Sequence, residues 1–583
     1  MCGFAGAIWK KTAPHFDKKK ELLRIFENGL LHRGPDERGV YIGQSFAVIH
    51  RRLSIIDIAQ GQQPMLSEDG NVGIAYNGEV YNFQELRTEL QANGYIFKTN
   101  SDTEVILQLF LENGVNCFAR LDGMFSIFIW DTHENASGVF YLVRDHLGVK
   151  PLYVYEDNEQ IAFSSELRPL LAIPGADLSL NPFGLQSYLT FRYTHAPDTI
   201  FKNIRRVAAG NVWTISGDSV FQNRFWDLPA PLRHERITAD EASERLYELL
   251  RASVKVQQVS EVPVGLLLSG GLDSSVIARL CCDIGVHLKS FSIGFPTINE
   301  FQYSHEVADA FGLSHTTVET SPKAIIERFE TVVDAMDEPI ADPACFPLHI
   351  LCEEIKKNVT VVLSGEGADE MLAGYPQYGY VYNASADTSD SHFERFLHHS
   401  WYFTEESTPI KADLDPTRLW RHKSYFSERS LLSGMLAYDL KTWLPENLMM
   451  KADKILMSHS LEGRFPFLSK SVVEFISSLP ESFKMNDTNG KWLLRKTFMT
   501  QLPKTIITRP KMGFSVPVDL LVLELKERAY SLISDLETRE PAVLLDLPEI
   551  RRKFEAHYSG AQPNALWVWT LLVLLQWFRN RMF

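Results

Sequence analysis

Cysteine is scarce in this chain. Six occur in 583 residues (Cys2, Cys117, Cys281, Cys282, Cys345 and Cys352), none of them in a C-x-x-C pair. So thin a scatter suits a reducing compartment better than a disulfide framework. Basic residues are outnumbered, 58 against 73, and the net charge of −15 argues against nucleic acid as a partner, because phosphate binding needs a basic surface. No apolar run is long enough to span a bilayer. The most apolar, residues 565–575, is interrupted by Thr570 and reads as a buried helix, so no membrane partner is expected. A basic segment followed by an apolar one is missing from the N-terminus, and the expected address is the cytoplasm. The Walker pattern GxxxxGK[ST] is absent, as is any internal repeat.

What is present is ordinary for a globular protein, 45% hydrophobic and 22% charged, which excludes disordered and collagen-like classes. The chain is too long for one core. Its front half is dominated by short apolar, β-rich runs (residues 45–49, 72–76, 125–130 and 139–143), with turns expected at Asn77-Gly78 and Asp122-Gly123 and a helix over 103–112. This predicts a layered β-sheet domain over 1–227. A Pro-rich linker at 228–237 precedes a second domain, 238–583, opened by a helix start at Thr238. There a strand at 262–268, a glycine turn, a helix at 276–282 and a strand at 289–293 indicate a parallel α/β sheet. From about residue 393 helical patterns dominate.

Two segments carry chemistry. The first is Met1-Cys2-Gly3: methionine is removed before small residues, so Cys2 is expected at the mature N-terminus, holding a thiol and a free α-amine on one residue. With a reference pKa near ~8, that amine is partly neutral at pH 7 and can act as the thiol's base. The second is Ser269-Gly270-Gly271-Leu272-Asp273-Ser274-Ser275, behind an apolar strand. A strand ending in two glycines and passing into a helix collects backbone N–H groups and the positive helix end at one point, an anion site. Ser269, Ser274 and Ser275 add hydroxyl donors, and Asp273 is placed to hold a Mg2+ that bridges phosphates.

SGGLDSS resembles the pyrophosphate loop of the ATP pyrophosphatases, and together with Cys2 the chain is similar, over nearly its whole length, to the glutamine-dependent asparagine synthetases. That resemblance implies an αββα, Ntn-hydrolase-like α+β domain in front of an α/β ATP pyrophosphatase domain with a helical C-terminal region. In the front half it rests on His32-Arg33-Gly34-Pro35-Asp36, Arg52-Leu53-Ser54-Ile55, Asn77-Gly78-Glu79 and Ser101-Asp102-Thr103-Glu104. Attack of the Cys2 thiolate on a glutamine amide makes an oxyanion, for which Asn77 and Gly78 are the expected donors. Arg52 is suited to the α-carboxylate of glutamine, and Asp102 with Glu79 to its α-ammonium.

In the back half the resemblance rests on Ser364-Gly365-Glu366-Gly367-Ala368-Asp369-Glu370, Gly374-Tyr375, Lys451-Ala452-Asp453-Lys454, Leu461 to Leu468 and Arg509-Pro510-Lys511-Met512-Gly513. It implies ATP contacts from Leu268, Ser269, Gly270, Gly271, Asp273, Ser274, Ser275, Ile293, Ser364, Gly365 and Lys454. Asp369 would join Asp273 on Mg2+, Glu366 would lie near the acceptor, and Lys511 would meet charge at the α-phosphate. The implied reaction amidates aspartate with ammonia from glutamine, releasing AMP and pyrophosphate. Ser469 and Gly463 depart from many relatives, which leaves another carboxylate acceptor open. A nucleotide sensor or scaffold is the reading from a different class, and a homodimer is compatible with the sequence.

Overall fold

The computed structural model describes residues 2–10, 13–134, 136–229, 237–383, 392–400, 408–412, 414, 418–419, 422–427, 429–486, 489–513 and 515–581. Its strands in chain order are β1 Cys2–Trp9, β2 Glu37–Ile42, β3 Phe46–Arg52, β4 Met65–Leu66, β5 Val72–Val80, β6 Gly123–Asp131, β7 Val139–Arg144, β8 Tyr153–Glu156, β9 Gln160–Ser164, β10 Ile204–Arg206, β11 Asn211–Ser216, β12 Ser219–Arg224, β13 Val264–Leu267, β14 Lys289–Gly294, β15 His315–Glu319, β16 Val361–Leu363, β17 Glu462–Arg464, β18 Met485–Asn486 and β19 Asn489–Gly490.

The first twelve make two six-stranded antiparallel sheets, β10-β8-β9-β1-β3-β2 and β12-β11-β7-β6-β5-β4. Side chains alternate across a strand, and the alternation here decides what meets in the middle. Phe4 and Ile8 of β1, Phe46 and Val48 of β3, Ala75 of β5 and Phe128 and Trp130 of β6 pack together between the sheets. Cys2 shares the parity of Phe4, His50 and Arg52 that of Val48, and Asn77 and Glu79 that of Ala75. The same alternation that builds the sandwich core therefore aims Cys2, Arg52, Asn77 and Glu79 at one end of it. Helices Phe83–Ala92 and Asp102–Asn113 cover the outer face of the second sheet, and Phe16–Asn28 covers the first.

Asn77 and Gly78 lie inside β5, paired with Ser126 and Phe125, so the turn expected there is corrected. A Cβ on Gly78 would stand 2.1 Å from the Met124 carbonyl oxygen, so glycine is there for close strand approach.

The parallel sheet has the order β15-β14-β13-β16-β17. Chain order runs outward from β13 to β15 on one side, then returns to the other side at β16. The crevice beyond the carboxyl ends of β13 and β16 is thus a topological switch point, where open α/β sheets bind ligands. The C-terminal helix Ala565–Arg581 is buried, with the Trp577 indole donating to the Asp337 carbonyl at 2.9 Å. Among the described residues no helix is long and apolar enough to cross a membrane.

Candidate functional site

The first centre surrounds Cys2. Its cavity, about 30 Å³, is lined by Cys2, Arg52, Gly61, Tyr76, Gly78, Glu79 and Asp102 among others. The Cys2 N–H donates to Asn77 Oδ1 at 3.1 Å, while Asn77 Nδ2 faces Ser126 Oγ at 3.4 Å. The Asn77 donor expected at an oxyanion is therefore turned toward Ser126. Burial pushes the Cys2 thiol up.

Asp102 begins its helix behind the Ser101 cap and accepts from Tyr76 Oη at 2.8 Å and Val80 N–H at 3.1 Å. Burial raises Asp102, and burial together with Asp102 raises Glu79 well above the carboxylate range. Two buried carboxylates raised in this way favour a cation between them.

Arg52 lines the cavity, yet its guanidinium holds the following loop: Nη1 donates to Glu37 at 2.8 Å and to the Ile58 carbonyl, Nη2 to the Ile56 and Asp57 carbonyls at 3.0 and 2.8 Å. Gripping a substrate carboxylate requires exchanging those contacts.

The second centre is a cavity of about 370 Å³ at the switch point, lined by Leu268, Ser269, Asp273, Ser274, Ile293, Ser364, Gly365, Glu366, Asp369 and Lys511, all expected from sequence. Gly270 has φ +74°, and a Cβ there would lie 2.5 Å from Ser304 N, so the turn demands glycine. Ser275 is buried and donates to the Gly271 carbonyl at 2.7 Å. It shapes the turn instead of facing the cavity.

Sequence reasoning missed Lys491. Its ammonium sits 2.6 Å from both Asp273 Oδ2 and Asp369 Oδ1, and Lys511 reaches Asp369 Oδ2 at 2.7 Å. Burial works against ionising Asp369, but these two lysines hold its carboxyl below the usual range. Lys491 follows the short strand Asn489–Gly490 with φ +58°, and its backbone N–H bonds the Leu372 carbonyl. A lone lysine there gives no sequence signal for such a role. Asp273 Oδ1 is buried without a hydrogen-bond partner among the described residues. An unpartnered carboxylate oxygen beside a second carboxylate fits a divalent cation. No group of three or more His, Cys, Asp or Glu suited to a metal occurs among the described residues, so phosphate oxygens would have to complete its shell.

Lys454 is corrected. It is fully shielded between the two halves of the chain, 2.8 Å from Glu166 Oε2 and 3.1 Å from Asp337 Oδ2, and it does not line the nucleotide cavity. It belongs to an interdomain network in which Arg33 meets Glu166 and Asp453, and Lys150 meets Asp453 at 3.1 Å. The order Lys-x-x-Lys placed Lys451 at the cavity and Lys454 one helical turn away from it. Arg464 connects the two centres: its guanidinium approaches Glu79 at 3.3 Å, and its carbonyl accepts from Ser364 N–H at 2.9 Å.

The two sequence departures have packing causes. Ser469 Oγ donates to Asp122 Oδ2 at 2.9 Å across the domains, where an acidic residue would meet like charge. A Cβ on Gly463 would lie 2.6 Å from Leu456. Neither residue lines the cavity.

A glutamine amidotransferase domain model matches residues 1–226, and the asparagine synthase model matches residues 245–579. Asparagine synthetase (glutamine-hydrolyzing) 1 of Bacillus subtilis is 32% identical over 99% of this chain and 96% of its own length. A putative asparagine synthetase (glutamine-hydrolyzing) of Mycobacterium tuberculosis H37Rv is 30% identical over 99% and 97%. Asparagine synthetase B (glutamine-hydrolyzing) of Escherichia coli K12 is 29% identical over 92% and 87%. With a thiol pocket inside one match and a nucleotide crevice inside the other, the chain belongs to the asparagine synthase family, a ligase family, and carries a glutamine amidotransferase domain at its front.

Proposed function

We propose that this chain amidates aspartate to asparagine, drawing ammonia from glutamine in a front domain over residues 1–227 and activating the acceptor with ATP in a back domain over 238–583, joined by the 228–237 linker. The observation that carries this reading is the pairing of a buried thiol beside two raised carboxylates with a separate glycine-turn cavity of about 370 Å³.

At the front, the Cys2 thiolate attacks the glutamine side-chain amide; the terminal amine released by methionine removal takes the thiol proton and passes it to the nitrogen that leaves as ammonia, and water then hydrolyses the γ-glutamyl thioester to glutamate and the free thiol. Gly78 N–H, on the cavity lining, is one oxyanion donor, and Asn77 joins it once its amide turns from Ser126. Glu79 and Asp102 take the α-ammonium of glutamine.

Aspartate's β-carboxylate is a poor electrophile until activated. At the back, ATP binds with its phosphates over the 269–274 turn, and the β-carboxylate attacks the α-phosphorus to give β-aspartyl-AMP and pyrophosphate. Lys511, on the cavity lining, faces the charge on the leaving pyrophosphate, and Lys491 balances Asp273 and Asp369 from behind them. Asp273 and Asp369 would hold Mg2+, which when bound neutralises phosphate charge. Ammonia then displaces AMP from the acyl carbon, and Glu366 is placed to accept the proton that nitrogen sheds.

The test supplies ATP, Mg2+ and glutamine with a panel of carboxylates and follows pyrophosphate, nucleotide and amide products. Aspartate should give pyrophosphate, AMP and asparagine. Recovery of ADP would overturn the adenylation step.

A further inference from the structure

The loop that follows Arg52 in the front half is held by a residue of the back half. Glu261 lies exposed between helix Ala239–Val256 and strand β13. Its carboxylate accepts from Asp57 N–H at 2.8 Å and from Ile58 N–H at 3.3 Å, and its own N–H donates to the Ile55 carbonyl at 2.9 Å. No cation pairs with it among the described residues, so those two N–H groups are what its charge answers. Asp57 has φ +48°, and a left-handed residue in a turn aims successive N–H groups at one point, a concavity that takes an anion. The Asp57 side chain in turn accepts from Asn100 N–H at 2.6 Å, just ahead of Asp102.

The carbonyls of Ile56, Asp57 and Ile58 are the ones that hold the Arg52 guanidinium. Glu261 therefore fixes, through one short loop, the group expected to take the α-carboxylate of glutamine. The rest of its segment is pinned as well. Arg464 Nη1 donates to the Gln257 and Val259 carbonyls at 2.8 and 2.7 Å, and Val259 and Ile56 both pack against the apolar core beneath the helices of the second sheet. Resting on the glutamine-hydrolysis reading above, we infer that Glu261 is a positioning residue for glutamine, lent by the back domain: it holds residues 56–58 where their carbonyls set the Arg52 guanidinium at the cavity wall. Glu261 touches no reacting atom and acts through Arg52. A guanidinium already held in place loses little freedom on taking a carboxylate, whereas a loose one loses that freedom on binding. The grip on the amino-acid end of glutamine is then built by both halves of the chain.

The test uses the full-length enzyme and glutamate release from glutamine. Glu261→Ala should raise the KM for glutamine about 10-fold and leave kcat within about twofold, the scale for removing charge-assisted bonds to backbone N–H groups. Glu261→Gln, which keeps one carbonyl oxygen, should fall between it and the parent. Two thiol reagents separate positioning from a merely structural role. The diazoketone analogue of glutamine carries the α-carboxylate and should inactivate Glu261→Ala about 10-fold more slowly than the parent. Iodoacetamide carries none and should act at an unchanged rate. Ammonia-driven amidation and the KM for ATP, read alongside, report an intact back domain. Should Glu261→Ala fail to fold, Glu261→Gln decides by the same measurements. An unmoved or lowered KM in a folded variant, or equal slowing of both reagents, would overturn the positioning role while leaving glutamine hydrolysis standing. No glutamate release from the unmodified enzyme would overturn the hydrolysis reading itself.

Discussion

The two centres differ in the room they leave and in how their carboxylates are balanced. About 30 Å³ remains around Cys2, space for a water or two, against about 370 Å³ at the end of the parallel sheet. At the thiol, Glu79 and Asp102 lie together and burial raises both. At the nucleotide cavity, Lys491 and Lys511 hold Asp369 down. At the first, Arg464 reaches Glu79 but burial still raises it, and the pair suits an amino acid with a free ammonium. At the second, lysines outweigh burial, and the cavity suits a polyanion. The carbonyls of the loop after Arg52 occupy its guanidinium.

The largest test of that contrast removes the nucleophile. Cys2→Ala should reduce glutamine-driven asparagine formation by at least ~10⁴-fold, the scale for losing a catalytic nucleophile, while ammonia-driven formation stays within about twofold. Equal loss of both would mean that the two centres are not separable. N-terminal sequencing of the working protein should find Cys2 first; an intact initiator methionine would rule out the terminal amine as base.

A smaller effect distinguishes the two kinds of carboxylate by pH. Glu79 and Asp102 must be ionised to hold an ammonium, and burial raises both, so they take up protons at a higher pH than free carboxylates do. The KM for glutamine should therefore rise as pH is lowered from 8 to 5. Asp369 sits below its ordinary range and stays ionised throughout, so the KM for ATP in pyrophosphate exchange should be nearly flat over the same span. Parallel pH profiles for the two substrates would erase the contrast.

What could be read in advance follows the same division. Residues that build a site through local geometry were legible: SGGLDSS forces a strand, a left-handed glycine and a helix start, and its cavity-lining residues fell where the pattern put them. The strand parity that gathers Cys2, Asn77 and Glu79 was also present in the alternation of apolar residues, although Asn77-Gly78 mimicked a turn. Long-range charge pairing was not legible. Lys491 reaches Asp273 across 218 positions, and Lys454 is taken up by Glu166 across 288, and no local pattern separates the lysine held between Asp273 and Asp369 from the one buried between the two halves of the chain.

Behind the nucleotide cavity, the carboxyl of Asp439 accepts from Tyr378 Oη at 2.5 Å and has no lysine beside it among its described hydrogen-bond and ion-pair partners. Burial pushes it up to about 7, against an ordinary 3.8. Between those values the folded chain binds a proton that the unfolded chain does not, so Asp439 favours the fold fully below the ordinary value and loses that contribution as pH rises to about 7. Asp439→Asn keeps an acceptor for Tyr378 and does not titrate. Its melting temperature should exceed that of the parent by about 1–2 °C at pH 8, and the excess should shrink as pH is lowered from 7 toward 4. A difference independent of pH would show that Asp439 stays ionised in the fold. It would then join Asp369 as a carboxylate stabilised by its surroundings, and the contrast between raised and lowered carboxylates would no longer follow the presence of a lysine.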